Sequence, residues 1–183
     1  CGFGTSRTAH RIFQNLVLSN IKLPQLVLDG DGLNILSKIS NWWDRIPFDS
    51  ILTPHPKEMS RLTRLPVSEI QSDRLNVAKR FSEQWGVVVV LKGANTVICD
   101  ANGSSTISPF ANPILSSAGT GDVLAGLIAG FIGQGSSPLE ASSLGVYIHG
   151  KTAESVSLQI GSSGLLATEL VNNVPFTIKY LRN

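Results

Sequence analysis

Apolar and polar positions follow two periods along this chain, and the switches between them divide it into short strands and longer helices. The densest apolar run, Val87-Val88-Val89-Val90-Leu91, is β-branched almost throughout and predicts a parallel strand covered on both faces. Gln25-Leu26-Val27-Leu28-Asp29 and Ser50-Ile51-Leu52-Thr53 predict two more strands. Thr96–Asp100 and Ser104–Ser108 predict a hairpin across Ala101-Asn102-Gly103, since Asn-Gly suits a tight turn.

The helical stretches have their own signatures. After a turn at Gly2 and Gly4, Thr5 or Ser6 can cap a helix that turns Ile12, Phe13, Leu16 and Val17 inward. Leu33, Leu36 and Ile39 predict a short helix, with Trp42 and Trp43 beyond it as core or subunit-contact residues. Ser72–Trp85 predicts a helix with Val77, Ala78, Phe81 and Trp85 inward, closed by Gly86. Ser137-Pro138-Leu139-Glu140 is a capping box opening a long helix that faces the core with Ala141, Leu144, Tyr147 and Ile148. His149-Gly150 falls inside it, where burial and packing are the expected role. Gly161–Gly164 predicts a linker and Leu165–Leu181 a last helix. Strands alternating with helices point to an α/β layered fold with a largely parallel sheet.

The remaining helix carries the most pointed chemistry. From Asp122 onward, Val123, Leu124, Leu127, Ile128, Phe131 and Ile132 form one apolar face, and Ala125, Gly126, Ala129 and Gly130 a small-residue stripe suited to close packing. Gly119-Thr120-Gly121 stands at the mouth of that helix. First-turn N–H groups lack internal partners and carry the positive end of the helix dipole, and two glycines let them converge on a phosphate. Asp122 beside them would repel that phosphate unless a hydroxyl lies between, whose proton the carboxylate accepts. A glycine-permitted loop with Asp122 as a helix cap is the alternative.

Other candidates sit at strand ends, where α/β proteins bind ligands. Asp29-Gly30-Asp31-Gly32 offers two carboxylates for a metal or hydroxyl, or for turns and caps. His55 is fixed between Pro54 and Pro56, with Glu58 in the first helical turn that follows. Lys92, just past the valine strand and followed by Gly93, is placed to reach a phosphate or to lie solvated in a turn.

Composition narrows the classes. At 183 residues with 42% hydrophobic and 15% charged positions, this is about one domain's worth of folded chain. A net charge of +2, with scattered lysines and arginines, argues against nucleic acid and acidic membranes. Cys1 and Cys99 make no disulfide framework, which suggests a reducing compartment, taken as cytoplasmic. The opening glycine turn has no strand before it, so the chain is expected to lack its N-terminal part.

Taken in order, G-F-G, T-P-H-P-K-E, L-K-G-A-N-T and A-G-T-G-D-V-L-A-G resemble the ribokinase-like superfamily, and more closely its ADP- or ATP-dependent (S)-NAD(P)H-hydrate dehydratases. The resemblance spans essentially residues 1–183 and implies a three-layer α/β/α sandwich. It implies repair of hydrated NADH or NADPH: ADP or ATP phosphorylates the added hydroxyl, and phosphate loss restores the ring double bond. Asp122 would be the base, with Gly119, Thr120 and Gly121 forming the anion hole. Lys92, Gly93, Ala94, Asn95, Thr96 and Gly121 would hold the nucleotide, and Gly2, Gly4, His55 and Asp122 the hydrated substrate. Glu58 would help position Mg²⁺ through water. A homo-oligomer and a fused or separate epimerase are further implications. Cys1 stands where this family usually has Pro, and Lys57 where Gly is common, which adds a charge near the site. A kinase of the same superfamily acting on a vitamin precursor or sugar is the alternative, as is a non-catalytic nucleotide-binding module.

Overall fold

The computed structural model describes residues 1–18 and 23–182. In chain order the elements are α1 (Arg7–Val17), β1 (Val27–Leu28), α2 (Asp31–Leu36), β2 (Ile51–Leu52), α3 (Pro56–Thr63), α4 (Val67–Ser72) and α5 (Arg74–Trp85). They continue with β3 (Val88–Leu91), β4 (Val97–Cys99), β5 (Ser105–Ile107), α6 (Thr120–Gly133), α7 (Pro138–Ile160) and α8 (Ala167–Arg182). The strands lie side by side in sequence order, β1-β2-β3-β4-β5. β1, β2 and β3 pair in parallel, and β4 is antiparallel to both its neighbours, so four of the five strands run one way.

Side-chain alternation on β3 builds the layers, because successive residues of a strand face opposite sides. Val88 and Val90, with Ile51 and Ile98, pack on Leu124 and Ile128 of α6 and Ala141 and Val146 of α7. Val89 and Leu91, with Leu28, Leu52 and Val97, pack on the other side against α1 to α5, through Phe13, Leu36, Met59, Phe81 and Trp85. The result is the expected three-layer α/β/α sandwich. Trp42 is buried in this second layer, its ring 4.9 Å from that of Trp85.

Several expected faces differ. On α1 only Phe13 of the four apolar residues is fully buried, beside Ala9, while Ile12 and Leu16 are exposed. The helix expected over Ser72–Trp85 is α5, starting two residues later because Asp73, with φ −147°, caps it by accepting the Asn76 N–H; the short α4 before it, ending at Ser72, was not expected. The small stripe of α6 does not make the close packing. Gly126 and Gly130 have open space around them, and the close approach comes from α7, where a Cβ on Gly145 would lie 2.6 Å from Ile128 Cγ1. Leu144 and Tyr147 of α7 are exposed rather than core-facing. The cause is shared: α8 crosses α6 and α7 and leaves an apolar groove of about 990 Å³ between them, lined in part by these residues. No helix among the described residues is long and apolar enough to cross a membrane.

Candidate active site

The carboxyl ends of β1, β2 and β3 deliver Asp29, the Thr53–Glu58 turn and Lys92 to one place. Lys92 Nζ is 2.6 Å from Asp29 Oδ1 and 3.9 Å from Glu58 Oε2, so this lysine is held by buried carboxylates and is not a solvated turn residue. Asp29 and Asp31 divide the two roles left open for them. Asp29 faces Lys92, whereas Asp31, in the first turn of α2, accepts the Gly4 N–H at 2.8 Å and so tethers the opening glycine turn.

The mouth of α6 closes over the same point. A Cβ at Gly121 would lie 3.4 Å from Lys92 Nζ and 3.6 Å from Asp29 Oδ2, which places this backbone in contact with the Lys92–Asp29 pair. Gly119 has φ +85° and its Cβ would meet that of Ala167 at 3.0 Å, so both conformation and space call for glycine. Thr120 is buried, and its hydroxyl lies within 2.8 Å of both the Leu115 and Ser117 carbonyls, pinning the turn from inside. Its amide is directed to Ser117 O at 3.4 Å, whereas the Gly121 and Asp122 amides have no acceptor within the helix. Asp122 is exposed in that first turn, and its carboxylate, that of Asp29 and the Cys1 thiol have ligand atoms within 4.8 Å of one another.

His55 caps α3. Its Nδ1 accepts the amides of Lys57 and Glu58 at 3.1 and 3.2 Å, while Glu58 Oε2 accepts the His55 N–H at 2.8 Å. That arrangement puts the ring proton on Nε2, on a half-exposed side chain, and desolvation lowers the imidazole pKa. Lys57 is exposed at the first turn of α3. Glu58 is buried and folded back onto its own cap, so it does not fit a direct Mg²⁺ ligand; the carboxylates that face one another are Asp29 and Asp122.

The Lys92–Thr96 loop is fixed by bonds invisible in the sequence. Asn95 has φ +54° and donates its amide to Phe110 O at 2.8 Å and its Nδ2 to Ser108 O at 3.0 Å. Arg74, the first residue of α5, forks onto Leu91 O at 2.8 Å and onto Ala94 O. Gly93 (φ +149°) leaves room for that guanidinium, which a Cβ would approach to 3.0 Å. Burial lowers the Arg74 pKa. Between this loop, His55 and the α6 mouth lies a cleft of about 590 Å³. His149 of α7 also lines it, with Nε2 2.9 Å from Thr120 O and its pKa pushed down to about 4 by burial. Arg74 and His149 were the residues sequence reasoning missed. Each sits in a helix whose periodicity accounts for it without a site, and only the distance to the loop reveals the contact.

An α/β/α sandwich with a glycine-framed helix mouth at its strand ends is the architecture of the ribokinase-like superfamily, with which this chain shares its fold. Within it, the chain belongs to the NAD(P)H-hydrate dehydratase family, whose profile matches residues 1–175. It is 38% identical over 165 residues to the bifunctional NAD(P)H-hydrate repair enzyme of Moorella thermoacetica, covering 90% of this chain and 31% of that one. It is 34% identical over 186 residues to the ADP-dependent (S)-NAD(P)H-hydrate dehydratase of Neisseria meningitidis serogroup B, covering 100% of this chain and 61% of that one. The crystal structure of the Bacillus subtilis ADP/ATP-dependent NAD(P)H-hydrate dehydratase, co-crystallised with ATP and Mg²⁺ and soaked with CoA, superposes with a TM-score of 0.82 at 32% identity, covering 96% of this chain and 62% of that one. The chain thus spans about a third of the bifunctional relative and three fifths of the other two.

Proposed function

We propose that this chain catalyses the ADP- or ATP-dependent dehydration of the S form of NADH- or NADPH-hydrate back to the reduced dinucleotide. The observation that carries the reading is Asp122 standing exposed beside two helix-mouth amides without helical acceptors, next to the Lys92–Asp29 pair. The Asp122 carboxylate takes the proton of the hydrate hydroxyl as its oxygen attacks the terminal phosphorus of the nucleotide, whose bridging P–O bond breaks to release AMP from ADP or ADP from ATP. The first-turn amides of Gly121 and Asp122, with that of Gly119 at the cap, receive the phosphoryl oxygens, and Lys92 beside Gly121 offers its charge. The phosphorylated ring then expels phosphate, driven by its nitrogen lone pair, and gives up a proton from the adjacent carbon to restore the double bond. The Lys92–Thr96 loop holds the nucleotide, and His55, with the Gly2–Gly4 turn, faces the hydrated dinucleotide. Mg²⁺, positioned through water with the help of Glu58, would neutralise charge on the nucleotide phosphates.

The same reading makes this a cytoplasmic homo-oligomer that works with an epimerase interconverting the hydrate's two forms. Incubation of the full chain with hydrated NADH, ADP and Mg²⁺ tests it. Return of the reduced-nicotinamide absorbance band is expected, with inorganic phosphate released in equal amount. A stable phosphate ester and no returning band would instead identify a small-molecule kinase.

A further inference from the structure

Two consecutive residues of α7 reach this cleft, and the chemistry above uses neither. His149 is buried, with Nε2 2.9 Å from the Thr120 carbonyl oxygen. A carbonyl only accepts, so Nε2 carries the proton and the imidazole is the donor. That carbonyl belongs to the same peptide unit as the Gly121 N–H, one of the first-turn amides with no acceptor inside α6. A donor on the C=O polarises the peptide and strengthens its N–H as a donor in turn.

Gly150 acts on the other wall of the cleft. A Cβ there would lie 2.2 Å from Phe110 Cδ2 and 2.4 Å from Cγ, so the ring lies directly on the helix backbone. The same ring meets Tyr147 edge-on, 5.3 Å between centroids. Phe110 O accepts the Asn95 amide, and Asn95 holds a left-handed conformation (φ +54°) that needs such anchoring. One dipeptide on one turn of α7 therefore touches the helix mouth directly and the Lys92–Thr96 loop through a single ring.

We propose that His149 and Gly150 are positioning residues that set the two walls of the cleft against each other, His149 also strengthening the Gly121 N–H toward the transferred phosphoryl group. Their catalytic consequence rests on the dehydratase reading above; their structural part does not.

Four variants of the full chain test this: His149→Met, which keeps volume and loses the donor; His149→Gln, which keeps a donor; Gly150→Ala; and Gly150→Ala with Phe110→Leu. His149→Met is expected to lower kcat roughly tenfold or more with the KM for ADP changed less than about threefold, as for an interaction made in the transition state. His149→Gln is expected to recover most of that loss. In amide NMR, His149→Met shifts the Gly121 proton upfield and His149→Gln does not. Gly150→Ala raises the KM for ADP roughly tenfold, and adding Phe110→Leu brings it back to within about threefold. Equal losses for His149→Met and His149→Gln with an unmoved Gly121 resonance overturn the role of His149. A Gly150→Ala defect that Phe110→Leu leaves untouched overturns that of Gly150. Should His149→Met not fold, His149→Gln against wild type and the Gly150 pair decide the matter. Absence of dehydratase turnover in the wild type defeats the functional reading alone, since the Gly121 resonance and ADP affinity, measured by calorimetry, still decide the positioning.

Discussion

Gly121 and Asp122 are neighbours with different tasks: one brings its backbone up to the Lys92–Asp29 pair, the other presents a charge. Asp122→Asn removes the proton acceptor and keeps the shape. Turnover is expected to fall by ~10²-fold or more while ADP affinity stays near wild type, the first read by absorbance and the second by calorimetry. His149 supports a different prediction, because its pKa of about 4 lies below the ordinary value of 6.5. Between those values the unfolded chain binds a proton that the folded chain does not, so stability rises with pH across this window and is lost on acidification. The loss is on the order of 3 kcal/mol from pH 6.5 to pH 4. Urea titrations at several pH values should show this excess slope in wild type and not in His149→Gln. At this scale the sequence exposed Asp122, Lys92 and His55 because glycine and proline frame them. It left Lys92 between two readings, since the partner that decides is Asp29, 63 positions away.

Elements were legible where their ends carry chemistry. Pro56 and Glu58 announced α3, and the structure completes the signal with a reciprocal cap in which His55 replaces the usual hydroxyl. The start of α5 was legible to within two residues, whereas the six-residue α4 was not, because so short a helix buries only Ile70 and leaves no period to read; Asp73 separates the two. Arg74 follows that break and forks onto two carbonyls of the nucleotide loop. Arg74→Met should weaken ADP binding about tenfold in calorimetry while leaving circular dichroism unchanged, since bonds from a charged donor contribute ~1.5–3 kcal/mol each and only part reaches the ligand. The pattern of α6 gave its large apolar face, whose Leu124 and Ile128 enter the core, but misassigned the close packing to its small stripe. Gly145 on α7 makes that close approach instead. Gly145→Ala, forcing a Cβ to 2.6 Å from Ile128, should cost ~1–3 kcal/mol and lower the Tm by several degrees in a thermal melt.

For the whole molecule, ligand and fold are linked, because the cleft exists only when β1, β2, β3 and α6 are assembled. ADP at about a hundred times its Kd should stabilise the chain by ~2.7 kcal/mol, seen as a rise in Tm, and Asp122→Asn should keep that rise. The sequence by itself determined which stretches are strands or helices, the short α4 excepted, because side-chain period and capping act over a few residues. It determined the family as well, because glycine turns and their neighbouring polar residues sit at fixed spacing. Pairing over long separations belonged to the tertiary structure alone: Lys92 on Asp29, Arg74 on the loop at Ala94, His149 on Thr120, and the exposed apolar side of α6 and α7. Period describes one element at a time, whereas each of those contacts depends on where a second element lands after the sheet has formed.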